Sequence, residues 1–504
     1  MSGKAEKADI AGKAEMADMA GSGGGLSFGA KCGYGSAAVG DAVSYMFVTT
    51  FVMFFLTTIA GIQPAVAGTL TGIAAVWDAF VNPVIGYISD NARTRWGRRR
   101  PFMIGFCPLI IICLVLLFTA VDMPYTVKVI YYGFMIIAFW TSFTGFFVPY
   151  YALGAEYTRD YDERSTLRSF ASFFNMIGTL FSMAMPTMIV QLLSDSGLTE
   201  ARAWQMTALF LGIVTAVSIV ITFFASKDRD VCSEGPGACS ESPDIMEKDR
   251  DSREAGDTEV AKPAARETLS LRKMFGEYLE VLKLGPMRWL LLTSLFYLTG
   301  YGMIMSDLVY LLTFNLGFSG SEVSLAMVVR SLIIIVFIPV INKLATATDK
   351  RTAQMAILVF GIAGIIGMRF MDVSVPAVLA VFIFITAMTT QTYWQLMPAI
   401  FYDICEYDEY ETGKRREGTI LAVQGFVEAA AAGLGAQLLG FVLQFAGFDG
   451  TAAVQSETAL TWVYNCTTWV PAIFLILAVF TLYKYPITKA RYREILEALN
   501  ERRG

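Results

Sequence analysis

Residues 77–102 read WDAFVNPVIGYISDNARTRWGRRRPF, and this stretch governs how the rest of the chain is read. Its first half is the end of an apolar helix that carries one carboxylate, Asp78. Its second half packs Arg93, Arg95, Arg98, Arg99 and Arg100 into a short run and closes on Pro101. A carboxylate at the middle of a bilayer costs roughly 2.5–3.5 kcal/mol on insertion scales, so such residues concentrate where a membrane protein works. Arginines beside the end of a span hold that loop in the cytoplasm. An ionisable group inside the membrane beside a fixed orientation is the pattern of a carrier.

Composition around this stretch agrees. The 504 residues are 55% hydrophobic and 16% charged, against about 25% charged in a typical soluble domain. Apolar runs recur that can cross a hydrocarbon core, which takes roughly 20 residues of helix. Twelve spans are expected, at about 33–58, 66–89, 103–121, 127–150, 170–193, 205–225, 287–313, 322–342, 353–371, 376–401, 418–445 and 461–484. The loops 90–102, 156–168, 343–352 and 402–417 hold fourteen Lys or Arg residues, while the opposite side shows only Lys128, Arg202 and Arg369. This asymmetry predicts cytoplasmic termini and a multi-pass protein of the plasma (inner) membrane. Histidine is absent, which excludes histidine-based triads, imidazole-held metals and histidine proton relays. The seven cysteines are scattered and define no disulfide or zinc framework.

The expected organisation is a cytoplasmic tail at 1–32, a six-helix bundle at 33–225, a linker at 226–286, a second bundle at 287–485 and a tail at 486–504. The first tail repeats GKAEKADIA as GKAEMADMA and lacks the apolar core of about 7–15 residues that a signal peptide needs. It reads as disordered, or as a short docking helix. The linker begins as a charged stretch without an apolar face. It continues as an amphipathic helix, with Leu271, Met274, Phe275, Tyr278, Leu279 and Leu282 on one side. Pro149 and Pro398 stand at corresponding places in the two halves, each before an acidic, tyrosine-rich segment. The echo predicts two related bundles around a central cavity, the plan of alternating-access carriers.

Five ionisable residues fall inside spans: Asp41, Asp78, Asp307, Arg330 and Glu428. Asp78 and Asn82 are four apart and share one side of a helix. They can hold a small cation or share a proton, or simply fix helix packing. Asp41 follows Gly40 and has Tyr45 one turn on, which fits a cavity role or a structural partnership. Asp307 and Arg330 are expected to pair with each other, since each is costly alone; solute binding is the alternative. Glu428 sits among small residues, where its charge needs a partner or a proton. Tyr393 and Trp394, amid Gln391, Thr392 and Gln395, are candidates for stacking on a substrate ring.

Six segments together carry a family likeness. They are GDA (40–42), WDAFVNPVIGYI (77–88), TRWGRRRPF (94–102), VPYYAL (148–153), DERSTLRSF (162–170) and YWQLMPAIFYDICEYDEYETG (393–413). With them the chain resembles the glycoside–pentoside–hexuronide:cation symporters of the major facilitator superfamily, the family of melibiose permease. The resemblance implies an all-α membrane protein of twelve transmembrane helices in two pseudo-symmetric six-helix bundles. It implies a cation site at Asp78, Asn82 and Thr144, and a sugar pocket at Asp41, Tyr151, Trp394 and Gln424, beside which Glu428 is added from its own position. It also implies an inner gate in which Arg164 meets Asp403 and Glu406, a contact that must break when the cavity opens.

The chain departs from that pattern at several points. Asn82 stands where sodium-using members carry a second carboxylate, and Val81 where they carry Asn, which shifts the expectation towards protons without removing sodium. Gly40, Phe147, Ser172 and Ala429 replace charged sugar-binding groups, which leaves a larger, more apolar pocket. The expected activity is symport of a small organic solute, a sugar or glycoside in kind, driven by H+ or Na+. A carrier of lipid-like or apolar metabolites is the alternative. A membrane-embedded metal-dependent transferase is the remote one, resting on DYDE (160–163) and EYDEYE (406–411). No cofactor and no nucleic-acid partner is expected; the partners are the solute and membrane lipid.

Overall fold

Where no water reaches the backbone, every N–H and C=O must be satisfied within its own segment, and long apolar runs therefore become helices. The computed structural model describes residues 26–503 apart from 93, 95–96, 158–160, 227–270, 415 and 453. Among the described residues, 12 helices are long and apolar enough to cross a membrane. The first six are α1 (Phe28–Phe54), α2 (Pro64–Asn91), α3 (Arg100–Leu117), α4 (Tyr125–Glu156), α5 (Tyr161–Asp195) and α6 (Glu200–Ala225). A linker helix, α7 (Leu271–Lys283), precedes α8 (Gly285–Tyr310), α9 (Gly320–Ala347), α10 (Lys350–Met368), α11 (Pro376–Thr412) and α12 (Glu417–Phe445). The last span is built from α13 (Glu457–Thr467) and α14 (Trp469–Lys484), and α15 (Lys489–Arg503) follows it.

The two halves echo each other in backbone detail. α1 runs on into a π-helical turn, Phe55–Ile59, and α8 into another, Leu311–Asn315. Two residues beyond each turn stands a left-handed glycine, Gly61 at φ 67° and Gly317 at φ 66°. A side chain is strained in that conformation, which explains glycine at both places.

Three features differ from the expected layout. The acidic segments after Pro149 and Pro398 are largely helical extensions of α5 and α11 rather than loops. The last span is broken at Thr468, because the Thr467 and Thr468 hydroxyls donate back to the Tyr464 carbonyl at 3.0 and 2.6 Å, and Pro471 follows without an N–H. In α7 it is Val281 that is buried, while Leu279 and Leu282 stay exposed. That helix is held by charge as well: Arg416 donates to Glu280 at 2.6 Å and, through two nitrogens, to both oxygens of the buried Asp408.

The halves meet at the end away from the arginine loop. The Thr57 and Tyr310 hydroxyls lie 2.6 Å apart, and the Ala65 N–H donates to Gln444 Oε1 at 3.0 Å. The Gly320 N–H donates to Gln191 Oε1 at 3.1 Å, and Ser324 donates to the Ala184 carbonyl. Glycines bring the backbones of α2 and α12 together there: a Cβ on Gly440 would stand 2.3 Å from the Pro64 carbonyl oxygen, and one on Gly68 2.7 Å from that of Ala436. Towards the arginine loop, Phe80 meets Phe426 edge-on at 5.6 Å, and past it Val84, Tyr87 and Ile88 are exposed. On the other flank, Val336 and Val340 of α9 and Phe173 and Ile177 of α5 are exposed in the same way. The bundles are sealed at one end and splayed at the arginine-loop end.

A Leu at position 440 must push α2 and α12 apart. We expect Gly440→Leu to destabilise this sealed form by about 1–3 kcal/mol. Disulfide cross-linking of Ala65→Cys with Gln444→Cys measures it: efficient closure in the parent, sharply reduced closure with Gly440→Leu. Equal cross-linking contradicts the glycine seal.

Candidate cation and substrate site

Asp78 lies midway along α2, one turn before Asn82. The Asn82 amide donates to Asp78 Oδ2 at 3.2 Å and to the Asp78 carbonyl at 2.8 Å. From α4 the Thr144 hydroxyl donates to Asp78 Oδ1. The three residues of the expected cation site therefore converge on one carboxylate. Their donors are all neutral. Trp77, beside Asp78, donates through its indole to the Thr141 hydroxyl at 2.9 Å and so ties α2 to α4 one turn away.

Asp41, on α1, accepts from the Asn175 amide of α5 at 3.1 Å. Glu428, on α12, accepts at Oε1 from both Tyr393 Oη and Gln424 Nε2, each at 2.9 Å. One turn from Asp41 stands Tyr45, which is 36% exposed although it lies in the interior. It is within electrostatic reach of Asp41, Asp78, Glu428 and Tyr301. Its ring meets Trp140 at 5.6 Å and Phe143 at 5.9 Å. Carboxylates from both halves thus border one aromatic-walled cavity. Trp394 is 47% exposed and packs edge-on against Tyr393 at 5.5 Å, and Tyr151 is 52% exposed on α4.

Several expectations are corrected. Tyr393 is not free to stack on a solute: it is fully buried, lies parallel to Tyr297 at 4.4 Å and spends its hydroxyl on Glu428. Asp307 and Arg330 do not pair. Arg330 donates to Thr390 Oγ1 at 3.1 Å and lies near Tyr297, whereas Asp307 lies near Tyr310 and Cys466 on the sealed side. Both Asp307 oxygens lack a hydrogen-bond partner among the described residues. Opposite charges at similar depth stay apart because α8 turns Asp307 towards Tyr310 and Cys466 while α9 turns Arg330 towards Thr390.

At the arginine-loop end the Arg164 side chain falls outside the described residues. Asp403 is engaged within its own half: Lys350 Nζ lies 2.6 Å from its Oδ1, donates to the Ala399 carbonyl at 3.1 Å and faces the Tyr492 ring at 5.5 Å. Burial and the adjacent Glu406 carboxylate raise the Tyr492 phenol above its usual range. Lys350, Tyr492 and Asn175 were missed in the sequence. Only Asn175 carried a signal, as the single Asn of the span 170–193. Among the described residues, no group of three acidic or cysteine side chains is placed to hold a metal.

A family model described as MFS/sugar transport protein matches residues 33–244 and 245–489. An uncharacterised symporter of Bacillus subtilis, YnaJ, is 27% identical, over 95% of this chain and 96% of its own. The isoprimeverose transporter of Lactiplantibacillus pentosus is 23% identical, over 89% of this chain and 86% of its own. In fold the chain is similar to the nucleoside transporter NupG, with a TM-score of 0.63 at 11% identity, covering 90% of this chain and 99% of that one. It is similar also to the inward-open xylose transporter XylE of E. coli, with a TM-score of 0.57 at 13% identity, covering 93% and 98%.

The Lys350–Asp403 pair is half in solvent on the lysine side. A double-mutant cycle with Lys350→Met and Asp403→Asn should give a coupling of roughly 1 kcal/mol in denaturant unfolding. Strict additivity would show that the contact does not stabilise this form.

Proposed function

Because the chain belongs to the MFS/sugar transport protein family, we propose that it is a cation-coupled symporter that carries a sugar or glycoside by alternating access, with Asp78 as the coupling site. The arginine loop places the splayed end in the cytoplasm, so the form described here faces inward. The observation that carries the reading is the Asp78 site. A carboxylate held only by neutral donors, in a medium of low dielectric, has no compensating charge. Binding a cation supplies that charge, and the site then crosses more cheaply between inward and outward forms. Coupling follows if the solute binds best to the neutralised form, since a ligand shifts an equilibrium only through its differential affinity.

Asp41 and Glu428 offer charge-assisted bonds to sugar hydroxyls and Gln424 a neutral one, and Tyr151 and Trp394 offer ring faces. One relative supports the solute class by its name, an isoprimeverose transporter, and another supports the coupling, a symporter. For the ion, we favour the proton. One carboxylate suffices for it, while a hard metal cation calls for several oxygen ligands, of which Asn82 and Thr144 supply neutral ones only. The Asp403–Lys350 contact is then the inward-facing partner arrangement of the gate acids.

Asp78→Asn keeps the shape and the hydrogen bonds while removing the charge. We expect gradient-driven accumulation in vesicles to be abolished, with exchange of solute down its own gradient retained. Asn82→Asp restores a second carboxylate and should raise sodium stimulation. Full accumulation by Asp78→Asn under an imposed proton or sodium gradient would place the coupling site elsewhere.

A further inference from the structure

Asp307 lies near the sealed end of α8, one turn before its π-helical extension. It is fully buried, and among the described residues neither carboxylate oxygen has a hydrogen-bond partner and no ion pair includes it. Tyr310, three residues on, shares its side of the helix and is within its electrostatic reach. The Tyr310 hydroxyl is the group that meets Thr57 of the other half at 2.6 Å. The backbone closes over that contact: a Cβ on Gly450 would stand 2.3 Å from the Thr57 carbonyl oxygen. The carboxyl thus sits directly beneath the seal.

The elements packed on α8 bring Asp307 no counter-charge. α13 presents Cys466, which is within its reach. On α1, α11, α12 and α14 the titratable residues nearest the sealed end are Tyr45, Tyr393, Glu428 and Tyr483. They stand twelve residues or more, at least about 18 Å, further towards the arginine loop than Thr57, Pro376, Gly440 and Pro471. On the loop side of the seal, Glu322 is exposed and bonded to Ser319. Asp449 is exposed too, and its hydrogen bonds from the Thr451 hydroxyl and N–H hold it below the usual carboxylate range.

An ionised carboxylate so placed has nothing to offset its charge, whereas the neutral acid has no charge to offset. The sealed form therefore carries a proton on Asp307. Once the halves part at Thr57 and Tyr310, water from the outer side reaches the carboxyl and accepts that proton. We infer that Asp307 is a proton site of the outer gate, separate from Asp78: the seal closes on the protonated acid and opens on the carboxylate. The proton is taken from the outer side and returned to it, so the number of ions crossing with the solute is unchanged. Because the sealed form binds one proton more than the open form, its share falls as pH rises. The inference rests on the alternating access proposed above, and on neither the solute nor the coupling ion.

Spin labels on Asp122→Cys and Val454→Cys, exposed loop positions of the two halves at the sealed end, report the seal. The full-length protein is held in nanodiscs, with the accessible native cysteines replaced by alanine. Pulsed dipolar spectroscopy then reads the shares of short- and long-distance forms from mildly acid to mildly alkaline pH. The short-distance form should lose ground by up to about ten-fold per pH unit. Asp307→Asn and Asp307→Val, which cannot ionise, should flatten that slope. Both should keep the short distance that the parent shows in acid, which also shows that they are folded. A slope that survives both substitutions, or a ratio of the two forms that ignores pH in the parent and in Gly440→Leu, overturns the assignment and leaves alternating access standing. A single unchanging distance in all of these proteins overturns both.

Discussion

Among the described residues Asp78 accepts hydrogen bonds from Thr144 and Asn82 and from no charged side chain, and the coupling proposed for the cavity follows from that imbalance. Neutral donors orient a carboxylate and recover part of its lost hydration. They do not cancel its charge, which in the interior is felt strongly. Asp41, with Asn175, and Glu428, with Tyr393 and Gln424, repeat the arrangement on two other helices. On the reading proposed above, something positive completes Asp78 and polar groups of a solute complete the other two. A structural ion pair would have satisfied these acids permanently and left nothing for a ligand to do.

The same economy governs the packing. At the sealed end the halves touch through glycine-lined backbone, short hydroxyl contacts, capped helix ends and the ring contact of Phe54 with Tyr310 at 5.3 Å. At the arginine-loop end the acids that face the gap are held in their own half, Asp403 by Lys350. Asp403 is thus satisfied while the arginine-loop end stands open, which is what the proposed gate, a bistable contact, requires of its open form. The paired π turns and left-handed glycines show that both halves inherit one backbone plan.

Much of this was legible in the chain itself. Twelve apolar runs and the arginine asymmetry predict the spans, and the four-residue spacing of Asp78 and Asn82 predicts their contact. The family likeness added Thr144, which no spacing rule could reach from another helix. What could not be read was the rotation of each helix about its axis. Tyr393 and Trp394 are neighbours in sequence, yet one is buried against Tyr297 and the other faces open space. Asp307 and Arg330 are opposite in sign and similar in depth, yet they point to different neighbours.

The central claim is that solute and one cation cross together because one carboxylate must be neutralised. Its most direct test is the flux ratio. In vesicles holding the purified protein, solute uptake and ion uptake are recorded together, protons by pH change in an unbuffered medium and sodium by radiotracer. The account predicts one cation per solute, carried as protons when sodium is absent. Solute uptake with neither ion moving alongside it would contradict the account.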